Sequence, residues 1–300
     1  MTVGGALAQA GLAPIDAQVL LAFVVERDRS WLVAHRDDVL SREYLDTYNA
    51  LTRRRRDGEP VAYLTGMREF WGLTLRVTTD VLIPRPETET LVQLALARLP
   101  ADADMRVLDL GTGSGAIALA LAHERPRARV VATDASAAAL DVARANAQRL
   151  SIRNVTFVAS DWYDAAGAAP FDLIVSNPPY IAGGDPHLAE GDVRFEPSSA
   201  LTPGGDGLDA LRVIIHGASA RLVAGGALLV EHGYDQRDAV AALLKEARFT
   251  QLIAARDLAG HWRVAGGEAG VSIGHLVRGA QPGNLHDPVD TGPPRGREVW

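Results

Sequence analysis

The tetrad Asn177-Pro178-Pro179-Tyr180 combines residue types that can do chemistry at one point of the chain. It follows Phe171-Asp172-Leu173-Ile174-Val175-Ser176, whose apolar run bounded by turn formers predicts a short buried strand. Strand pairing must stop at the prolines. They carry no N–H donors and hold φ at about −65°, and Asn177, preceding proline, is held extended. A rigid rim results, with outward carbonyl oxygens, one side-chain amide and one aromatic ring. Such a rim fits a planar –NH2 group. The Asn177 side-chain oxygen and the Pro178 carbonyl would accept its two hydrogens, Pro179 would stiffen the turn, and the Tyr180 ring would stack on the flat face. Strand termination and a core Tyr180 would account for the tetrad equally well in isolation; its company decides.

That company begins with Gly111-Thr112-Gly113-Ser114-Gly115, which follows an apolar stretch at Val107–Leu110. A glycine-rich turn between a strand and a helix lets backbone approach a nucleotide-like ligand closely. The spacing is one residue tighter than the dinucleotide fingerprint and is weak evidence alone. Asp134, ending a second strand, would accept two ribose hydroxyls. Asp161 and Trp162, after a third, would take an adenine by hydrogen bond and ring contact. A helix-capping Asp134 and a core Trp162 are the plain alternatives. All three groups fall at successive strand ends, however, where ligands of such sheets bind. The ligand is then NAD-like or S-adenosylmethionine. Hydride chemistry needs a group to polarise a carbonyl, whereas the fourth strand end offers an –NH2 clamp, which favours methyl transfer to nitrogen.

Composition removes other chemistries. The 300 residues contain no cysteine, so disulfides, zinc–thiolate sites and thiol nucleophiles are absent. Lys245 is the only lysine, leaving little material for a Walker loop or a Schiff base. The eight histidines form no HExxH or clustered ligand pattern, and no metal site is expected. A net charge of −7 argues against a broad nucleic-acid-binding face. No apolar run reaches the ~18 residues of a membrane helix, and the N-terminus lacks a cationic signal region. A cytoplasmic location is expected.

Residues 1–66 read as short helices. Pro14 starts one with a stripe of Ile15, Val19, Leu20, Phe23 and Val24, and Ser30 and Ser41 are candidate N-caps for two more. Tyr44, Leu45, Tyr48 and Leu51 share one face of the last, which ends in Arg53-Arg54-Arg55-Arg56. That run reads as a solvated helix end complementing the dipole, or as a contact for an acidic partner or RNA phosphate. Residues 67–85 alternate as a hairpin, with Leu73, Leu75 and Val77 in one strand and Val81–Ile83 in the other, turning at Thr79-Asp80. From Pro86 onward strands and helices alternate, the mark of a parallel α/β sheet. Closing strands are expected at 249–256 and 271–278. The loop 181–207, rich in Gly, Pro and Asp, reads as a lid. Residues 281–300 read as a disordered tail.

Several of these segments together resemble the release-factor glutamine methyltransferases, class I enzymes with an Asn-Pro-Pro-Tyr motif. The resemblance spans about 1–278. Its segments include Gly58-Glu59-Pro60-Val61-Ala62-Tyr63-Leu64, Glu69-Phe70-Trp71-Gly72-Leu73 and Leu82-Ile83-Pro84-Arg85-Pro86-Glu87-Thr88-Glu89. Asp109-Leu110-Gly111-Thr112-Gly113-Ser114-Gly115 and Asp192-Val193-Arg194-Phe195-Glu196-Pro197 complete it. The resemblance implies an α/β, Rossmann-like class I methyltransferase domain with a mostly parallel sheet over 86–280. A helical domain (1–66) that docks the substrate protein and a β-hairpin linker (67–85) would precede it. It also implies S-adenosylmethionine as cofactor and peptide chain release factors as substrates, methylated on the glutamine of a Gly-Gly-Gln sequence. Nothing carries over onto 281–300. Two readings compete: methylation of a base amino group in RNA or DNA, and a non-catalytic adaptor that keeps the cofactor fold.

Overall fold

Capping and patterning build the front of the molecule from helices, in a computed structural model that describes residues 1–270. The helices are α1 (Val3–Gln9), α2 (Pro14–Val25), α3 (Arg29–Ala34), α4 (Arg42–Arg56) and α5 (Val61–Thr65). Ser41 caps α4 through the Tyr44 N–H, and Gly66 ends α5 in the left-handed region. The cap of α3 is Asp28, not Ser30: its carboxylate accepts the Trp31 N–H at 2.7 Å, and the Ser30 hydroxyl donates to the same oxygen. The stripe of α2 is also shifted. Ala17, Leu20, Leu21, Val24 and Val25 are buried, while Ile15 and Phe23 stay about half exposed. The helix is apolar almost all round, so two overlapping stripes were available and packing chose between them.

Strands β1 (Met67–Phe70) and β2 (Leu73–Arg76) form the antiparallel hairpin. Its turn is Trp71-Gly72, both at positive φ (53° and 70°), as a two-residue turn matched to strand twist requires. The expected second strand at Val81–Ile83 is instead an irregular segment. Val81 and Ile83 are buried against Ala139 and Val142. Beyond a short 3-10 turn at Pro86–Thr88 come α6 (Glu89–Leu96), β3 (Arg106–Leu110), α7 (Ala116–Glu124), β4 (Arg129–Asp134), α8 (Ala137–Arg149), β5 (Val155–Ala159) and β6 (Phe171–Ser176). After α9 (Ser198–Leu201) follow α10 (Asp209–Ala218), β7 (Leu222–Glu231), α11 (Arg237–Glu246), β8 (Phe249–Arg256) and β9 (Trp262–Ala269).

The seven-stranded sheet has the order β5-β4-β3-β6-β7-β9-β8. Strands β3 to β7 pair in parallel, and β9 runs antiparallel between β7 and β8. The closing partner of β8 is therefore 262–269; the strand expected at 271–278 and the tail 281–300 lie outside the described residues. Side chains alternate between two cores. Val107, Val130, Leu173 and Leu229 face α6 and α7, whereas Leu108, Phe171, Ile174 and Leu228 face α10 and α11. The chain passes from β3 outward to β5, then returns to place β6 on the other side of β3. This makes the β3/β6 boundary the switch point, where a crevice opens beyond the carboxyl ends of the strands. Leu110 and Ser176 are register partners, so the residues after them leave the sheet side by side.

The 181–207 segment is a strap more than a free lid. The Arg55 guanidinium joins Asp16 of α2 to Asp192 of the strap, each at 2.8 Å, and Arg194 donates to the Asp57 carbonyl. Glu196, with no exposed side-chain surface, pairs with Arg85 and accepts the Ile83 N–H at 3.2 Å. Of the four-arginine run, only Arg55 is drawn partly into the fold, while Arg53, Arg54 and Arg56 stay exposed. Arg54 forks onto Glu59, and Arg56 caps the end of α1 at the Ala10 carbonyl. The solvated helix end describes Arg53 and Arg54, whereas Arg55 is a tether between α2 and the strap. We expect Arg85→Ala, which strands the buried Glu196 carboxylate, to cost about 3 kcal/mol in denaturant unfolding, the low end for a broken buried pair because Arg85 is partly exposed. A loss below about 1 kcal/mol would show that water reaches Glu196 and that the pair does not hold the strap.

Candidate active site

The β3–α7 turn requires its glycines. Gly111, Gly113 and Gly115 have φ of 70°, 55° and 85°. A Cβ at Gly115 would come within 3.0 Å of Leu119 Cδ1 and 3.2 Å of Ala143 Cβ, so this glycine permits α7 to pack on α8. Asp109 sits fully buried beneath the turn. Its Oδ2 accepts from the Thr112 hydroxyl at 2.6 Å and the Ala118 N–H at 3.2 Å, while Oδ1 has no partner. Burial pushes its carboxyl up to about 7. Asn146, completely buried, donates to the Ser114 and Arg76 carbonyls and accepts the Arg76 N–H, tying the turn to the hairpin.

A cavity of about 200 Å³ opens at the switch point. Gly111, Thr112, Gly113 and Ser114 line one side, and Asp134, Asp161 and Trp162 line another. Asn177 and Pro179 close it from β6, and Pro197, Ser199 and Ala200 reach it from the strap. Asp134 does more than end its strand. Oδ2 accepts the Gly113 N–H at 2.8 Å and Oδ1 accepts the Ser136 N–H at 2.9 Å, leaving further lone pairs on both oxygens. Trp162 is a non-glycine residue at φ 45°, with its ring beside Gly111.

Three of the expected site residues do not line this cavity: Gly115, Pro178 and Tyr180. The Tyr180 hydroxyl donates to Glu231 Oε1 at 3.2 Å, its carbonyl accepts from Gln236 Nε2 at 2.8 Å, and its ring packs on the core facing α10 and α11. The Tyr180 side chain is thus anchored at its hydroxyl. The cavity instead brings in Thr88 and the 80–84 segment, which the strand-and-turn reading missed. Thr88 is buried, and its Oγ1 accepts from Asn177 Nδ2 at 3.1 Å, which leaves Asn177 Oδ1 free of protein donors. Among the described residues no cluster of His, Asp and Glu is placed to hold a metal. No described helix is long and apolar enough to cross a membrane.

Glu231, at the end of β7, is almost fully buried, and burial raises its carboxyl to about 7 from an ordinary 4.5. The folded protein then holds more protons than the unfolded chain between pH 4.5 and 7, so this group's contribution favours folding most at acid pH. It is lost as the pH rises through 7. His232, buried and depressed, acts in the opposite sense below its ordinary 6.5. The useful comparison is therefore wild type against Glu231→Gln, in which other groups cancel. Wild type should lose on the order of 2–3 kcal/mol relative to the variant as the pH rises from 5 to 8. Parallel stability curves across that range would mean that Glu231 titrates normally.

Known proteins share both halves of this arrangement. Residues 4–66 match the PrmC N-terminal domain family, and residues 89–208 match the methyltransferase small domain family. A release factor glutamine methyltransferase of Bordetella pertussis is 53% identical over 262 residues, covering 87% of this chain and 97% of the relative. One from Xylella fastidiosa is 53% identical over 253 residues, covering 84% and 92%. Among solved structures, a methyltransferase from Pyrococcus furiosus superposes with a TM-score of 0.51 at 16% identity, covering 73% of this chain and 98% of that one, a likeness of fold. With the glycine turn and the Asn-Pro-Pro-Tyr rim joined at one switch point, and with this identity along most of its length, the chain belongs to the release factor glutamine methyltransferase family.

Proposed function

We propose that this chain transfers a methyl group from S-adenosylmethionine to the side-chain amide nitrogen of a glutamine in peptide chain release factors. The observation that carries the reading is the state of Asn177. Its Nδ2 is held by Thr88 and its Oδ1 has no protein donor, at the mouth of a cavity floored by the glycine turn. An acceptor of that kind suits a planar –NH2.

The residues fit the cofactor. The positive-φ turn at 111–115 allows close backbone approach, Asp134 keeps lone pairs for ribose hydroxyls, and Asp161 and Trp162 flank the place for a base. When bound, S-adenosylmethionine supplies an electrophilic methyl carbon. The protein's task is then placement, because an amide nitrogen shares its lone pair with the carbonyl and is a poor nucleophile. Asn177 Oδ1 and the Pro178 carbonyl accept the two N–H bonds, turning the nitrogen toward the cofactor. The same acceptors stabilise the positive charge that develops there. Tyr180, fixed at its hydroxyl and its carbonyl, holds the rim in shape. The surplus proton leaves to water. The helices of 1–66 would dock the body of the release factor.

Incubation with radiolabelled S-adenosylmethionine and either purified release factor or bulk RNA tests the reading. Label in the release factor is the expected result. Label in RNA would favour the base-methylating alternative, and no label in either would favour a non-catalytic adaptor.

A further inference from the structure

We infer that Thr88 is the positioning residue that sets which way the Asn177 amide faces. The inference rests on the proposed function and adds a residue to it. An asparagine amide has two faces of opposite chemistry, and only one orientation offers an acceptor to a substrate –NH2. At a strand end followed by two prolines, nothing in the backbone chooses between them. The choice is made 89 residues upstream, where Thr88 Oγ1 meets Asn177 Nδ2 at 3.1 Å.

A threonine hydroxyl can donate as well as accept, and here its oxygen accepts from Asn177 Nδ2, which leaves Oδ1 for the substrate. Glu231 Oε1 takes the Tyr180 hydroxyl, while its Oε2 is buried with no partner. Thr88 is 3% exposed and Glu231 1%, so water does not readily compete for these contacts.

Thr88→Val keeps the shape and removes the hydroxyl; Thr88→Ser keeps the hydroxyl. On release factor, Thr88→Val should lower kcat by up to about 10²-fold, the scale of a misplaced reacting group. S-adenosylmethionine affinity should be unchanged, and Thr88→Ser should restore most of the rate. In an Asn177→Ala background, Thr88→Val should cost nothing further, because the residue it orients is gone. Additive losses, or a fall in cofactor affinity matching the fall in rate, would overturn the inference in favour of a general structural role. A second readout needs no turnover. The side-chain 15N–1H pair of Asn177, identified by its absence in Asn177→Asp, should exchange slowly with solvent in wild type and Thr88→Ser and rapidly in Thr88→Val. Equal exchange in all three would also overturn it. If wild type fails to methylate release factor, the functional reading falls, and the exchange experiment still decides the orientation.

Discussion

Asn177→Ala should lower kcat about 10²–10³-fold while leaving S-adenosylmethionine binding nearly intact. The expected size is that of removing one aligned partner from a preorganised site. The loss belongs in kcat because the contact matters most as the nitrogen gains charge, and not when the cofactor binds. The prolines and the β6 strand stay in place, so the fold should tolerate the change. Asn177→Asp is the sharper companion. It keeps an acceptor oxygen but removes the Nδ2 donor that Thr88 holds. If acceptance alone matters, the aspartate should retain clearly more activity than the alanine. If orientation by Thr88 matters as much, both should be nearly inactive, and the structure predicts the second outcome. Near-wild-type turnover by Asn177→Ala at saturating substrate would reduce the tetrad to a strand terminator.

Asp134→Ala should weaken S-adenosylmethionine binding by about 1.5–3 kcal/mol, roughly 10- to 150-fold, measured by calorimetry. Two effects add. The variant loses the proposed ribose acceptor, and it releases the Gly113 N–H that Asp134 Oδ2 holds at 2.8 Å. It also loses the contact to the Ser136 N–H next to the start of α8, so thermal unfolding should be followed in parallel. Unchanged cofactor affinity in a folded Asp134→Ala protein would confine Asp134 to its backbone contacts.

Much of the site was legible in residue order because the sheet is parallel. In such a sheet every loop after a strand falls at the same end, so motifs distant in sequence converge without further information. The glycine turn, Asp134, Asp161, Trp162 and Asn177 could be placed together on that ground, and all of them except Gly115 of the turn line one cavity. Tyr180 could not, since one position past two prolines its direction depends on the turn. The orientation is set by Glu231 and Gln236, which arrive from β7 and the segment after it. Thr88 gave no signal of its own within a polar stretch. Asp109 did give one, as a carboxylate inside an otherwise apolar strand. The front of the molecule was less legible for a different reason. Apolar α2 offered two overlapping stripes, and the guanidinium groups of Arg54, Arg55 and Arg56 find partners 5, 39, 46 and 137 residues away. Which member of a charge run the fold will engage is not written in the run, and here it is Arg55. The hairpin turn was missed because a tryptophan at positive φ is a poor guess for a turn residue, whatever follows it.

The central claim is that the acceptor is the amide nitrogen of a glutamine in a release factor. Tandem mass spectrometry of purified release factor, incubated with the protein and S-adenosylmethionine and then digested, tests it most directly. One methyl group is predicted, on the side chain of the glutamine in the Gly-Gly-Gln sequence and on no other residue, and absent when Asn177→Ala replaces wild type. A methyl group on a lysine, an arginine or the N-terminus, or an unmodified glutamine after complete reaction, would contradict the account.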